Sequence, residues 1–146
     1  IPMGFIYKDV WTADPHFMVK TTDLYYLGIL SSNVNNAWMR VVSGRLEMRY
    51  RYSNRIVYNT FVWPNPSDEQ KEEIRKTAKF ILEARSLNPG ASLSELYDES
   101  LMPSNLRTAH QENDKAVMEA YGFNWRTMTE AECVGELMKL YQELID

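Results

Sequence analysis

The sequence predicts an α+β fold, a small mixed α/β head with short strands followed by a mainly helical C-terminal tail. Three observations predict it. Up to residue 66, runs rich in β-branched and aromatic residues are broken by turn-forming Ser, Asn, Gly and Pro, the pattern of short strands. Beyond Pro66, apolar residues recur at three- and four-residue spacing between helix-starting and helix-stopping signals. Charge divides at nearly the same place. Residues 1–62 hold seven Lys/Arg against four Asp/Glu, a net of +3, and the remainder holds nine against sixteen, a net of −7.

In chain order, residues 1–7 (IPMGFIY) and 16–20 (HFMVK) read as short strands around a loop containing Asp14-Pro15. Residues 23–30 and 32–42 read as helices. In the second, Val34, Trp38, Val41 and Val42 share a stripe, Ser32 is the expected N-cap and Gly44 the expected stop. Residues 46–52 alternate Leu46, Met48, Tyr50 and Tyr52 with Glu47, Arg49 and Arg51, as a strand with two unlike faces would. Arg49 and Arg51 would then form a small guanidinium comb about 6–7 Å apart, near the spacing of successive phosphates. Ser53-Asn54 is turn chemistry, and 56–63 is a second extended segment ended by Pro64 and Pro66.

The tail opens on Ser67-Asp68-Glu69-Gln70, a capping box with acids in the first helical turn. Its helix keeps Ile74, Thr77, Ala78, Ile81 and Leu82 on one stripe until Asn88-Pro89-Gly90 breaks it. A short helix is expected around residues 93–97. Another begins near Pro103, turns Leu106, Ala109/His110, Asn113 and Val117 inward, and ends at Gly122. Thr129 to Glu132 is a second capping box, opening a last helix with Val134, Leu137, Met138, Tyr141, Leu144 and Ile145 inward.

Bulk properties exclude several classes. The single cysteine, Cys133, excludes an internal disulfide, and with only His16 and His110 beside it no Cys/His zinc quartet assembles. No apolar run reaches the roughly 18 residues of a membrane span, and no leader opens the chain, so a cytoplasmic protein is expected. A start at Ile-Pro reads as a piece of something longer.

The six glycines are scattered, so no glycine-rich cofactor loop is present. Glu69-Gln70-Lys71 has the Glu-x-Lys form of a nuclease site, but it falls in a helical first turn, where acids favour the dipole. His110 and Asp114, four apart, have acid–base spacing; on a buried stripe, a core histidine hydrogen-bonded to a helical neighbour is the better reading. Cys133 and the scattered methionines read as core filling, and Trp38 and Trp63 as anchors packing a helix onto a sheet. No catalytic constellation survives.

What remains is the stretch 36–66. It holds Arg40, Arg45, Arg49, Arg51 and Arg55 interleaved with Tyr50, Tyr52, Tyr58, Phe61 and Trp63. Guanidinium forks fit phosphate oxygens and the guanine edge, and aromatic rings pack or stack on bases. The candidate contacts are Arg40, Arg45, Arg49, Arg51, Ser53, Asn54 and Arg55, mostly to phosphate. The competing class is a protein-interaction or subunit-docking module without nucleic-acid contact, in which the acidic tail docks and the arginines pair with acidic surfaces.

Several strings carry a resemblance: SNVNNAWMR (32–40), GRL (44–46), RYRYS (49–53), VYNTFVWP (57–64), LRTAH (106–110), NDKAV (113–117) and AYGF (120–123). Together they resemble the end of the target-recognition domain and the helical C-terminal segment of large single-chain type II restriction–modification enzymes. In these an adenine-N6 DNA methyltransferase is fused to a nuclease. The resemblance implies that residues 1–66 are the C-terminal part of a DNA target-recognition domain and 67–146 a helical C-terminal domain. It implies duplex DNA as partner, with an upstream methyltransferase domain in the same polypeptide. S-adenosylmethionine and magnesium are implied for that longer protein, and no cofactor or catalytic residue for this chain. Two positions depart from the pattern, Asn35 where His is usual and Val62 where Pro is usual. Asn35 keeps a donor and an acceptor, so a DNA-contact or capping role is expected of it.

Overall fold

The computed structural model describes residues 1–12, 16, 18–43, 45, 46, 49, 50 and 52–146, with the backbone alone for Arg45, Leu46 and Arg49. Its helices are α1 (Leu24–Leu30), α2 (Asn33–Val42), α3 (Asp68–Ser86), α4 (Leu93–Leu96), α5 (Ser104–Ala120) and α6 (Glu130–Ile145). Between α2 and α3 lie a two-residue antiparallel ladder, β1 (Arg45–Leu46) with β2 (Arg49–Tyr50), and a π-helical turn, Asn54–Tyr58. The fold is therefore mainly helical, and the α+β expectation is corrected. Among the described residues that ladder is the whole of the β-structure.

Each misplaced strand has a physical reason. Residues 1–7 and the described part of 16–20 form no ladder. The first segment is instead tied through the Met3 carbonyl, which accepts from Arg85 at 2.5 Å. Segment 46–52 is not one strand, because Leu46 pairs back onto Arg49. Segment 56–63 failed because a short run of β-branched and aromatic residues reads alike as strand and as buried helix. Here Ser53 acts as an N-cap, accepting from the Ile56 amide, and Tyr58 N–H reaches Ser53 O at 3.2 Å, the five-residue step of a π-helix.

The helical signals hold. Ser32 caps α2, and Ser67 with Gln70 and Thr129 with Glu132 form reciprocal capping boxes; a third, Ser92 with Glu95, opens α4. Gly122, just past the Tyr121 C-cap, stops α5 at φ of +74°, and Gly90, at +92°, lies in the Asn88–Ala91 turn that follows α3, conformations a side chain disfavours. Gly44 lies outside the described residues, and α2 gives way at Ser43.

One core joins head and tail. Ile29, Val34, Trp38, Val57 and Phe61 pack with Ile74, Val117, Cys133 and Leu137. Gly28 is where α1 meets α3: a Cβ there would lie 2.6 Å from Ile74 Cγ2 and 3.2 Å from the Ile74 carbonyl. Asn113, fully buried on α5, donates to the Gly28 carbonyl at 2.8 Å and accepts from Thr77 at 3.0 Å, cross-linking three helices. A smaller cluster of Ile81, Ala84, Leu96, Leu106 and Ala109 closes the other end of α3. The inward stripe expected of α6 stops early, since Met138, Leu144 and Ile145 are exposed.

Candidate nucleic-acid interface

Four side chains of the predicted contact set are described, and they divide into two kinds. Arg40, in the last turn of α2, turns back on the protein. Its Nε and Nη2 donate to the two carboxylate oxygens of Glu130, each at 2.8 Å. That fork ties α2 to the first turn of α6, so this guanidinium is engaged internally. Ser53, Asn54 and Arg55 lie together at the π-helical turn. Ser53 is occupied as the cap, while Asn54 and Arg55 are exposed and Ile56 beside them is 46% exposed. The side chains of Arg45 and Arg49 and the whole of Arg51 lie outside the described residues, and with them the guanidinium comb.

The turn is built against α2. Val57 is fully buried and Phe61 nearly so, fixing the inner side in the shared core. Trp63 follows, with Tyr26, Tyr58 and Phe61 edge-on around it at centroid distances of 5.5 to 5.7 Å. Trp38 is the expected anchor, 1% exposed, but it packs on Tyr141 of α6 and on this turn rather than on a sheet.

Asn35 departs from expectation. Its side chain is fully buried, which removes it from any DNA surface, and the cap of α2 is Ser32. Asn35 Oδ1 instead accepts the Tyr52 hydroxyl at 3.2 Å, and its Nδ2 has no hydrogen-bond partner among the described residues. An unpaired buried amide costs about 1–3 kcal/mol. Burial pushes the Tyr52 phenol up to about 12, so it remains a donor near neutral pH.

The tail arranges its polar groups for structure. His110 does not pair with Asp114. Its Nε2 lies 2.7 Å from the Tyr97 hydroxyl, which also accepts from Arg85 Nε at 2.8 Å. Burial and then the Arg85 charge hold the imidazole down to about 4, partly offset by its hydrogen bond to the Ser31 backbone. Asp114 accepts the backbone and side-chain amides of Asn33, both at 2.7 Å, at the start of α2; burial nonetheless pushes its carboxyl up to about 6. Glu69 and Lys71 sit exposed or half-buried in the first turn of α3, where Lys71 approaches Asp68 at 4.0 Å. Cys133 is buried, and its thiol is pushed up to about 11. Among the described residues no group of three or more His, Cys, Asp or Glu is placed to hold a metal ion, and no helix is long and apolar enough to cross a membrane.

Sequence reasoning missed the pairs Asn35–Tyr52 and Trp38–Thr60, which cross from α2 to the turn. Spacing gave no signal for them, because both join segments separated by a chain reversal. It also missed Trp125, whose ring carries Lys115 at 5.1 Å and Arg126 at 4.8 Å.

Comparison with known proteins places this geometry. Residues 1–65 match the family model of the MmeI target recognition domain, and residues 66–146 that of the MmeI C-terminal domain. DNA methyltransferase A of Bacillus subtilis (strain 168) is 37% identical over all 146 residues, a span that is 16% of that protein. A solved structure of the Type IIL restriction–modification enzyme MmeI in complex with DNA superposes with a TM-score of 0.82 at 46% identity, covering 86% of this chain and 17% of that one. This chain thus spans about a sixth of the relatives it matches. It belongs to the MmeI family, whose target recognition domain it matches before residue 66 and whose C-terminal domain it matches after it.

Proposed function

We propose that this chain is a non-catalytic, duplex-DNA-binding piece of a cytoplasmic restriction–modification enzyme. Residues 1–66 would be the C-terminal part of its target-recognition domain and 67–146 the helical domain that supports it. The observation that carries this reading is the likeness, at 46% identity, to an MmeI structure solved with DNA. The relative named as a DNA methyltransferase and the likeness to a restriction–modification enzyme support a methyltransferase elsewhere in the same polypeptide. Its being an S-adenosylmethionine-dependent adenine methyltransferase fused to a magnesium-dependent nuclease is proposed on the sequence resemblance. Arg45, Arg49, Arg51, Ser53, Asn54 and Arg55 are the proposed contacts. Arg40, held by Glu130, braces α2 against α6 instead.

Equilibrium binding of the full-length enzyme to duplex DNA, titrated with salt, tests the reading. Affinity falling steeply with salt is expected, because each neutralised phosphate releases counterions. Salt-independent binding, or none, would favour the docking-module alternative.

A further inference from the structure

Two side chains on the buried face of α2, Asn35 and Trp38, grip both ends of the segment that presents Asn54, Arg55 and Ile56. Ahead of the turn, the Tyr52 hydroxyl donates to Asn35 Oδ1 at 3.2 Å. Behind it, Trp38 Nε1 donates to Thr60 Oγ1 at 3.2 Å, and the Thr60 hydroxyl donates back to the Ile56 carbonyl. Between the two bonds Val57 is fully buried. α2 itself is braced by the Trp38–Tyr141 contact and by the Arg40–Glu130 fork. The exposed side of the turn is thus held at three points against a fixed helix.

The three exposed side chains are of the kinds that distinguish bases. Arginine forks onto the guanine edge, asparagine onto the adenine edge, and an aliphatic group meets the thymine methyl. A phosphate contact tolerates sway in the side chain that makes it, but a base-edge contact does not, because a shift of about 1 Å loses the paired hydrogen bonds. Asn35 and Trp38 are too buried to touch a ligand, and so act only through what they hold.

We propose that Asn35, Tyr52, Trp38 and Thr60 are positioning residues that set sequence discrimination by clamping the Asn54–Tyr58 turn to α2 as a base-reading element. The proposal rests on the DNA-binding reading above.

The test uses the full-length enzyme and a randomised duplex library, from which the wild type selects its preferred duplex. Affinities are then measured for that duplex and for a scrambled one, with thermal stability in parallel. Tyr52→Phe removes one hydroxyl, and Thr60→Val breaks the other end of the clamp. Each should lower the preferred-to-scrambled ratio by roughly tenfold, the scale of one lost base contact, while binding to the scrambled duplex stays unchanged. Thr60→Ser, which keeps the hydroxyl, should restore the ratio. A wild-type ratio in both variants, with only the melting temperature lowered, would overturn the clamp and leave the DNA-binding reading standing. A wild type that binds no duplex would overturn both.

Discussion

His110 sits where α4, α5 and the α1–α2 junction meet, facing the Tyr97 hydroxyl, the Arg85 guanidinium, the chain's amino group and the Ser31 backbone. Its folded pKa of about 4 lies below the unfolded value near 6.5, so the unfolded chain binds more protons in between. Stability from the neutral imidazole is complete above about pH 6.5 and is lost as pH falls towards 4. Asp114, raised to about 6, works with the opposite sign in the same window, favouring the folded state as it is protonated. Only a difference measurement isolates the histidine. Relative to His110→Gln, the wild type should lose as much as about 3 kcal/mol between pH 7 and pH 4 by denaturant unfolding. A constant difference across that range would show the imidazole to be freely titrating. Asp23 gives a contrasting case: the Arg75 fork holds its carboxyl down to about 2, so its stabilisation is present above about pH 4 and fades as pH falls towards 2. Asp23→Asn keeps an N-cap for α1 and removes the charge. It should destabilise at pH 7 and approach the wild type near pH 2; a gap that persists at low pH would mean that the packing, not the charge, was lost. At this scale the sequence was partly legible. His110 as a core group could be read from its stripe, but Tyr97, Arg85 and Ser31 as its partners could not, since they lie on other elements.

Helix ends were the most legible elements, because a cap is a local interaction between residues three apart. Ser67 with Gln70 and Thr129 with Glu132 are formed as read. Thr129→Ala should cost about 1 kcal/mol, seen as a lowered denaturant midpoint at unchanged slope, while Thr129→Ser should be near neutral. No change in Thr129→Ala would assign the start of α6 wholly to the Arg40–Glu130 fork. Strands were illegible for a complementary reason. A strand needs a neighbour, and neither the β-branched and aromatic composition of 1–7 nor the alternation in 46–52 says whether one is present. The turn at 54–58 was hidden by composition: Ile56, Val57 and Tyr58 favour a strand in isolation, and burial of Val57 beneath α2 overrides that preference. Of the candidate site, Ser53, Asn54 and Arg55 were proposed from turn chemistry and charge and lie together at one turn, whereas the diversion of Arg40 to Glu130, ninety positions away, required the fold.

Across the whole molecule, head and tail share one core, with Trp38 and Val57 of the first packing on Val117 and Leu137 of the second. The acidic tail therefore serves as the base on which the basic head is held. On this account the chain by itself transfers no methyl group to duplex DNA and cleaves none, with S-adenosylmethionine and magnesium supplied; label transfer by highly purified protein would refute that. The central claim is that the basic head binds DNA through its backbone phosphates, and the salt dependence of duplex binding tests it most directly. In the full-length enzyme, Arg49→Ala/Arg51→Ala should weaken binding to all sequences alike and flatten the plot of log affinity against log salt by up to about two units, at about 0.9 per phosphate. An unchanged slope, with a loss of folded stability instead, would make these arginines internal ion-pair partners and contradict the account.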